Sequence, residues 1–462
     1  MKTPGEILLV SCYESGHQPF NLASPLGFLK SEGFPAVGID AAAEKIPSHR
    51  IKTAKFIGIS VPMHTAMCIG VEIAFRIKKL NPQVHLCFYG LYAVLNADYL
   101  LSHLADSVIG GEFETPLVRL ITALDDNKKV PPDVRTSTTV VEPFLERMTF
   151  SESDRRGLPE LSEYAQFDNG DATVTSGYTE TTRGCLHTCL HCPITPVYAG
   201  RFFVVPNPIV SADVRKQIAS GAKHITFGDP DFLNGPGHSL GIARELHTEY
   251  PHVTFDITTK IEHILEFPEI FPELQSLGCA FVVSAVESVS ELVLRRLKKG
   301  HTANDIVAGL EILNAAGIPM RPSLVAFTPW TTQQDYTDML TFVEHYDLLD
   351  HIDPVQYTIR LLVPPGSALL KETETAEWIG PLDQEAFQYR WTHPDSLMDE
   401  LQVQLNELVS KAADVGEDPL STFNAIKARL KATTGQETGV DLSLMKKRRR
   451  RRIPRLTESW FC

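Results

Sequence analysis

Residues 182–193 read Thr182-Arg-Gly-Cys185-Leu-His187-Thr-Cys189-Leu-His191-Cys192-Pro193, which sets three cysteines at C-x₃-C-x₂-C spacing. The residues leading into them, 178–182, alternate and are rich in Thr, as in a strand, and Gly184 then opens a turn. The pattern is a strand ending in a loop that curls three sulfurs around one point. Three soft thiolates suit an iron–sulfur cluster, and a [4Fe–4S] cube with only three protein ligands keeps one iron open. Zinc ordinarily takes four protein ligands, commonly from paired C-x₂-C units. His187 and His191 stand close enough in sequence to complete such a set, so the motif alone leaves both metals open.

The chain around this loop is too long, at 462 residues, for one ordinary domain. Its 43% hydrophobic content is that of a protein able to bury a large core. No apolar run approaches the roughly 18 residues that cross a bilayer. The apolar run from Ile7 to Val10 is too short for a signal segment, so the expected compartment is the cytoplasm. Eight cysteines, three of them clustered, are not a disulfide framework and fit a reducing environment. The net charge of −14 argues against a general nucleic-acid binder and against a nucleic-acid partner.

Upstream, residues 1–125 repeat strand and helix signals. Strands are expected at 7–13, 36–39, 56–61, 85–89 and 108–111, with helices at 21–32, 65–80 and 115–124 between and after them. Alternation of this kind predicts a doubly wound parallel sheet, which binds ligands at the carboxyl ends of its strands. Residues 126–175 are polar and turn-rich and read as a connector. From 176 to 370 the alternation resumes, with strands ending at Gly228-Asp229-Pro230, at Thr258-Thr259-Lys260 and at Ser284-Ala-Val-Glu287-Ser288, then a fifth at 320–326 and a sixth at 354–361. Six βα units predict a partial barrel, whose chemistry belongs at the carboxyl ends of the strands.

These residues carry a family resemblance. The cysteine loop, the strand ending in Gly228-Asp229 and the strand ending in Glu287-Ser288 resemble the radical S-adenosylmethionine (SAM) enzymes. The resemblance implies that Cys185, Cys189 and Cys192 hold a [4Fe–4S] cluster and that SAM chelates the open iron. It also implies that Gly228 and Asp229 bind the SAM amino group, and that Glu287, with Ser284 on the same strand, faces the SAM ribose. An aromatic residue usual before the third cysteine is replaced by His191. The first 125 residues resemble the cobalamin-binding domains that precede many such barrels, through Ser60-Val-Pro-Met63, Tyr89-Gly90-Leu91 and Ile109-Gly110-Gly111-Glu112-Phe-Glu114. Ser60, Gly90, Gly110, Gly111 and Glu112 are then expected at the cobalamin. The usual Asp-x-His-x-x-Gly cobalt loop is absent; His17 is the nearest substitute, at a different spacing.

Residues 371–462 change character. Leu397, Leu401, Leu405, Leu408 and Val409 form one helical stripe capped at Ser396, and residues 419–430 a second. Both read as packing surfaces ahead of a flexible basic tail, Lys-Lys-Arg-Arg-Arg-Arg-Arg at 446–452. The terminal Cys462 resembles the first residue of a Cys-Sec-Ala-Glu-Pro or Cys-Cys-Ala-Glu-Pro tail found in one radical SAM subgroup, which implies a catalytic thiol and a selenocysteine codon beyond it. The expected fold is thus α/β: a cobalamin-type sheet, a partial (β/α)₆ barrel and a helical carboxy-terminal region. The expected activity is cobalamin-dependent methyl or alkyl transfer to a small molecule, drawing electrons from a flavodoxin or ferredoxin. Other readings are 3-amino-3-carboxypropyl transfer to a metalloid such as arsenic, RNA modification, and a non-catalytic iron–sulfur or zinc protein.

Overall fold

The computed structural model describes residues 1–437 and 453–458. The first sheet contains β1 (Ile7–Ser11), β2 (Val37–Asp40), β3 (Phe56–Ser60), β4 (His85–Tyr89) and β5 (Ser107–Ile109), all parallel, in the order β2-β1-β3-β4-β5. Every residue of β1 and β3 is buried, as parallel strands covered on both faces require. Alternate residues feed two cores. Ile7, Leu9 and Phe56 pack with Leu22, Leu29, Leu117 and Leu120 on one side. Leu8, Val10, Ile57 and Ile59 pack with Val71, Ala74 and Ile77 on the other. Strand order reverses at β1 and β3, so a crevice opens at their carboxyl ends.

The second sheet has the order β13-β12-β11-β10-β7-β6-β16. Its strands are β6 (Gln166–Asp168), β7 (Thr173–Thr179), β10 (His224–Phe227), β11 (Thr254–Thr258), β12 (Cys279–Glu287), β13 (Met320–Leu324) and β16 (Arg455–Leu456). A short pair, β8 (Thr182–Gly184) and β9 (Phe202–Val204), braces the thiol loop, and β14 (Ile379–Asp383) pairs with β15 (Gln388–Trp391). The five central strands run parallel, whereas β6 and β16 are added antiparallel at one edge. Phe255, Ile257, Val282 and Met320 face the helices, while the alternate residues His224, Thr226, Asp256 and Arg321 line the inside. Asp353 draws the curl together, with Arg321 of β13 at 2.9 Å and Arg455 of β16, from the opposite edge, at 3.9 Å.

The expected sixth strand is not formed as such. Residues Pro354–Tyr357 make a 3₁₀ turn, and a single bridge from Phe327 to Arg360 is all that pairs. Pro354 fixes its own φ and offers no N–H to a ladder. Residues 126–175 are not a bare connector, because β6 and the start of β7 lie within them. The helix Ser396–Asp414 is capped by Asp395, whose carboxylate accepts from Leu397 N, rather than by Ser396. Leu401, Leu405, Phe423 and Ile426 from the last two helices join the barrel core. The tip of the β14–β15 hairpin docks on the first domain, with Phe387 5.1 Å from the Tyr99 ring and His64 bonded to Ala386 O at 2.8 Å. Among the described residues, no helix is long and apolar enough to cross a membrane. The basic run 446–452 and Cys462 lie outside the described residues.

Candidate active site

The thiol loop begins where β7 gives way to β8 at the carboxyl end of the barrel. Gly184 turns the chain at φ +74°, and a Cβ there would lie 2.5 Å from Arg201 O and from the Tyr198 ring, so no other residue fits. The loop is pinned along its length. Leu186 N donates to Asn234 Oδ1 at 3.0 Å, Leu190 N to Leu297 O at 3.0 Å, and Thr195 Oγ1 to Cys189 O at 2.8 Å. Cys185 and Cys189 are buried and Cys192 half-buried, and none is in a disulfide. Burial pushes the Cys185 thiol up to about 12, helped by Asp231 and by the other two thiols. Burial and Cys189 push Cys192 up to about 11. Three sulfurs gathered on one loop, the thiols of Cys185 and Cys192 raised by burial and by neighbouring groups, are a donor set for a cationic, thiophilic metal centre.

The two loop histidines bear on the zinc alternative. His187 Nε2 lies 3.3 Å from Asp231 and its Nδ1 3.6 Å from Glu262. His191 points Nε2 at Glu287 Oε1 (3.4 Å). Each imidazole is thus turned toward a carboxylate. The residue usual before the third cysteine is aromatic; here its place is taken by a polar contact to the Glu287 carboxylate.

Glu287 ends β12 in left-handed backbone, φ +63°, a conformation a non-glycine residue holds only when its surroundings demand it. Lys299 supplies that demand, donating to Oε1 at 3.1 Å from a side chain that is itself buried. Burial would raise Glu287, but Lys299 and His191 outweigh it and hold the carboxyl down to about 2. Ser284 points away from the mouth and donates to Thr259 O at 2.8 Å. Asp229 is fully engaged, accepting from Thr181 N (3.0 Å), Thr181 Oγ1 (2.7 Å), Thr182 Oγ1 (2.6 Å) and Thr182 N. Its side chain therefore fixes the β7–β8 turn. Gly228 is required, since a Cβ would lie 2.0 Å from the Tyr178 ring.

On the first domain, Ser60 and Ser11 lie side by side at the carboxyl ends of β3 and β1, both buried. Gly90 turns at φ +104° next to the Val61 backbone. The third expected loop is closed by the protein itself. A Cβ at Gly111 would meet Phe144 O at 2.2 Å, one at Gly110 would meet Val94 at 2.6 Å, and Glu112 is bound to Arg183 (3.4 Å) and Tyr198 (2.9 Å). Gly110 and Gly111 thus pack against Val94 and Phe144, and Glu112 makes a domain contact. His17 is buried against the Tyr178 ring, 4.6 Å between centroids, and burial pushes it down to about 4, so it is neutral and faces the barrel.

Sequence reading missed the residues that join the domains. Arg183, two before Cys185, reaches Glu114 at 2.7 Å, Glu180 at 3.2 Å and Glu112 at 3.4 Å, all buried or nearly so. Lys299, Asp231 and His263 were also missed, because no spacing rule marks them.

Comparison with known proteins agrees with this geometry. Residues 179–341 match the family model of the radical SAM superfamily. The match takes in the thiol loop and strands β10 to β13, so the barrel region of this chain is similar to a radical SAM domain. A bacteriochlorophyllide d C-8(2)-methyltransferase from Chlorobaculum tepidum is 26% identical over 296 residues, covering 59% of each chain. The alignment thus spans less than two thirds of that relative's length. Among solved structures, the cobalamin-dependent SAM radical enzyme OxsB with aqua-cobalamin bound superposes with a TM-score of 0.68 at 15% identity, covering 92% of this chain and 71% of that one. The radical SAM methyltransferase TsrM from Kitasatospora setae gives 0.59 at 16% identity over 74% and 71%. Both share the fold: a parallel amino-terminal sheet followed by a curled half-barrel.

Proposed function

We propose that the protein is a cobalamin-dependent radical SAM methyl- or alkyltransferase acting on a small molecule. The observation that carries this reading is the way the two domains face each other. The loops after β1 and β5 touch chain that flanks the thiols, through His17 on Tyr178 and through Glu112 and Glu114 on Arg183. A group seated at the carboxyl edge of the first sheet would therefore lie against the barrel mouth. The buried Ser11 and Ser60 hydroxyls at that edge fit the polar tail of a cobalamin there.

Cys185, Cys189 and Cys192 would hold the cluster as thiolates, and when bound it supplies the electron that cleaves the SAM sulfonium. Glu287, kept ionised by Lys299 and His191, is placed to accept hydrogen bonds from ribose hydroxyls. The Gly228 turn and the Thr181–Asp229 contacts hold the chain beside them rigid. A one-electron donor of the flavodoxin or ferredoxin type completes the cycle.

The test is anaerobic purification with hydroxocobalamin supplied, a visible spectrum, then dithionite and SAM with chromatography. Bound corrinoid with conversion of SAM to S-adenosylhomocysteine or 5′-deoxyadenosine supports the reading. Full iron loading and SAM cleavage with no corrinoid retained would remove the cobalamin half of it.

A further inference from the structure

A second group of ligand-type side chains converges at the same end of the barrel. His187 comes from the thiol loop, Asp231 from the turn after β10, and His263 from the short helix Ile261–Glu266 after β11. One donor atom from each lies within 4.8 Å of the others. His263 Nδ1 is 2.9 Å and His187 Nε2 3.3 Å from Asp231 Oδ2. Yet both ring nitrogens are buried without a hydrogen-bond partner among the described residues, because neither is oriented to bond that oxygen. Buried imidazole nitrogens are ordinarily satisfied. Two of them crowded on one carboxylate oxygen, and misaligned with it, share a focus that a cation would fill.

The surroundings are those of a held ligand set. Asp231 is buried, and its other oxygen is fixed by Thr259 Oγ1 at 2.7 Å and Leu233 N at 3.1 Å, so Oδ2 is turned to the histidines. The backbone N of Lys260 lies 3.4 Å from Oδ2. The remaining nitrogen of His187 lies 3.6 Å from the Glu262 carboxylate, an ion-pair distance. The nearest ammonium, Lys260, is already paired with Glu262. We propose that His187, Asp231 and His263 bind one divalent transition metal, zinc or ferrous iron, with its remaining positions open to water or a small anionic ligand. Two imidazoles and one carboxylate suit either ion. The proposal does not rest on the thiols, although His187 ties the site to their loop.

The full-length protein, anaerobically reconstituted with iron and sulfide, is incubated with zinc chloride or ferrous sulfate and desalted. Metals are counted by mass spectrometry, and zinc is examined by X-ray absorption. The expected result is about one zinc, or one ferrous iron beyond the cluster, per chain, with a nitrogen and oxygen shell at about 2.0–2.1 Å. In His263→Gln and Asp231→Asn, which keep size and hydrogen-bonding capacity, the added metal falls below about one tenth per chain while cluster iron stays at about four. Circular dichroism and gel filtration identify which variants are folded, and either one suffices. Wild-type protein that retains no added metal overturns the proposal, as does metal kept by a folded variant, or sulfur in the zinc shell at about 2.3 Å. Added metal without cluster iron would instead strike at the proposed function and leave this site standing.

Discussion

At the scale of single residues, the site depends on side chains held where their chemistry is unfavourable. Glu14, at the first loop, is buried with Asn21 N and Nδ2 as donors to Oε2, each at 3.2 Å. Burial outweighs those bonds and pushes its carboxyl up to about 7. The folded state thus keeps the proton longer than the unfolded chain does. Stability should fall as pH rises from about 4.3 toward 7 and level off above it. Glu14→Gln is expected to be neutral near pH 4 and to add on the order of 2 kcal/mol at pH 8, read by urea unfolding at both. Equal effects at the two pH values would show that the carboxyl is ionised in the fold. Gly228 makes a steric point of the same kind. Gly228→Ala should cost about 1–3 kcal/mol against the Tyr178 ring, and Tyr178→Leu in the same chain should recover much of that in a double-mutant cycle. Strictly additive losses would mean that the ring is not what confines the glycine.

At the scale of elements, β16 is the least expected. Two residues near the end of the chain add to β6 and bring Glu458 to Tyr13, Oη to Oε1 at 2.8 Å, across from the first loop. Thr457 anchors the strap twice, donating from N to Gln166 O at 2.8 Å and accepting from Gln166 N at 2.9 Å. Thr457→Pro removes both bonds and is expected to cost about 1–3 kcal/mol and to raise amide exchange in β6 while β11 stays protected. Unchanged exchange in β6 would count against the strap. Such an element is hard to foresee, since a two-residue strand from the far end of the chain has no periodicity. The parallel strands were legible for the opposite reason: β4 and β11 are short apolar or β-branched runs bounded by turns, and the limits of β4 and the end of β11 agree with the sequence reading. The sixth barrel strand misled because 354–361 has strand-like composition but opens on a proline. Of the site, the thiol loop and Glu287 were legible from register. The partners of Asp229 and Glu112 were not, because contacts between residues far apart in the chain leave no trace in local spacing.

At the scale of the whole molecule, Arg183 is the joint. One buried guanidinium faces Glu112 and Glu114 of the first domain and Glu180 of the barrel. The two domains thus share a charge that neither could bury alone, and the joint lies two residues from Cys185. Arg183→Met strands buried carboxylates and is expected to cost about 3–5 kcal/mol, with the single unfolding transition splitting in two by calorimetry. A single, unshifted transition would show that packing, not this pair network, couples the domains. The most direct measurement of the central claim is the iron content and SAM turnover of wild type beside Cys189→Ala, both reconstituted anaerobically. About four irons per wild-type chain with SAM cleavage, and loss of both in the variant, is the expected result. A variant that keeps its iron and still consumes SAM, or a wild type carrying a single zinc on its cysteines, would contradict it.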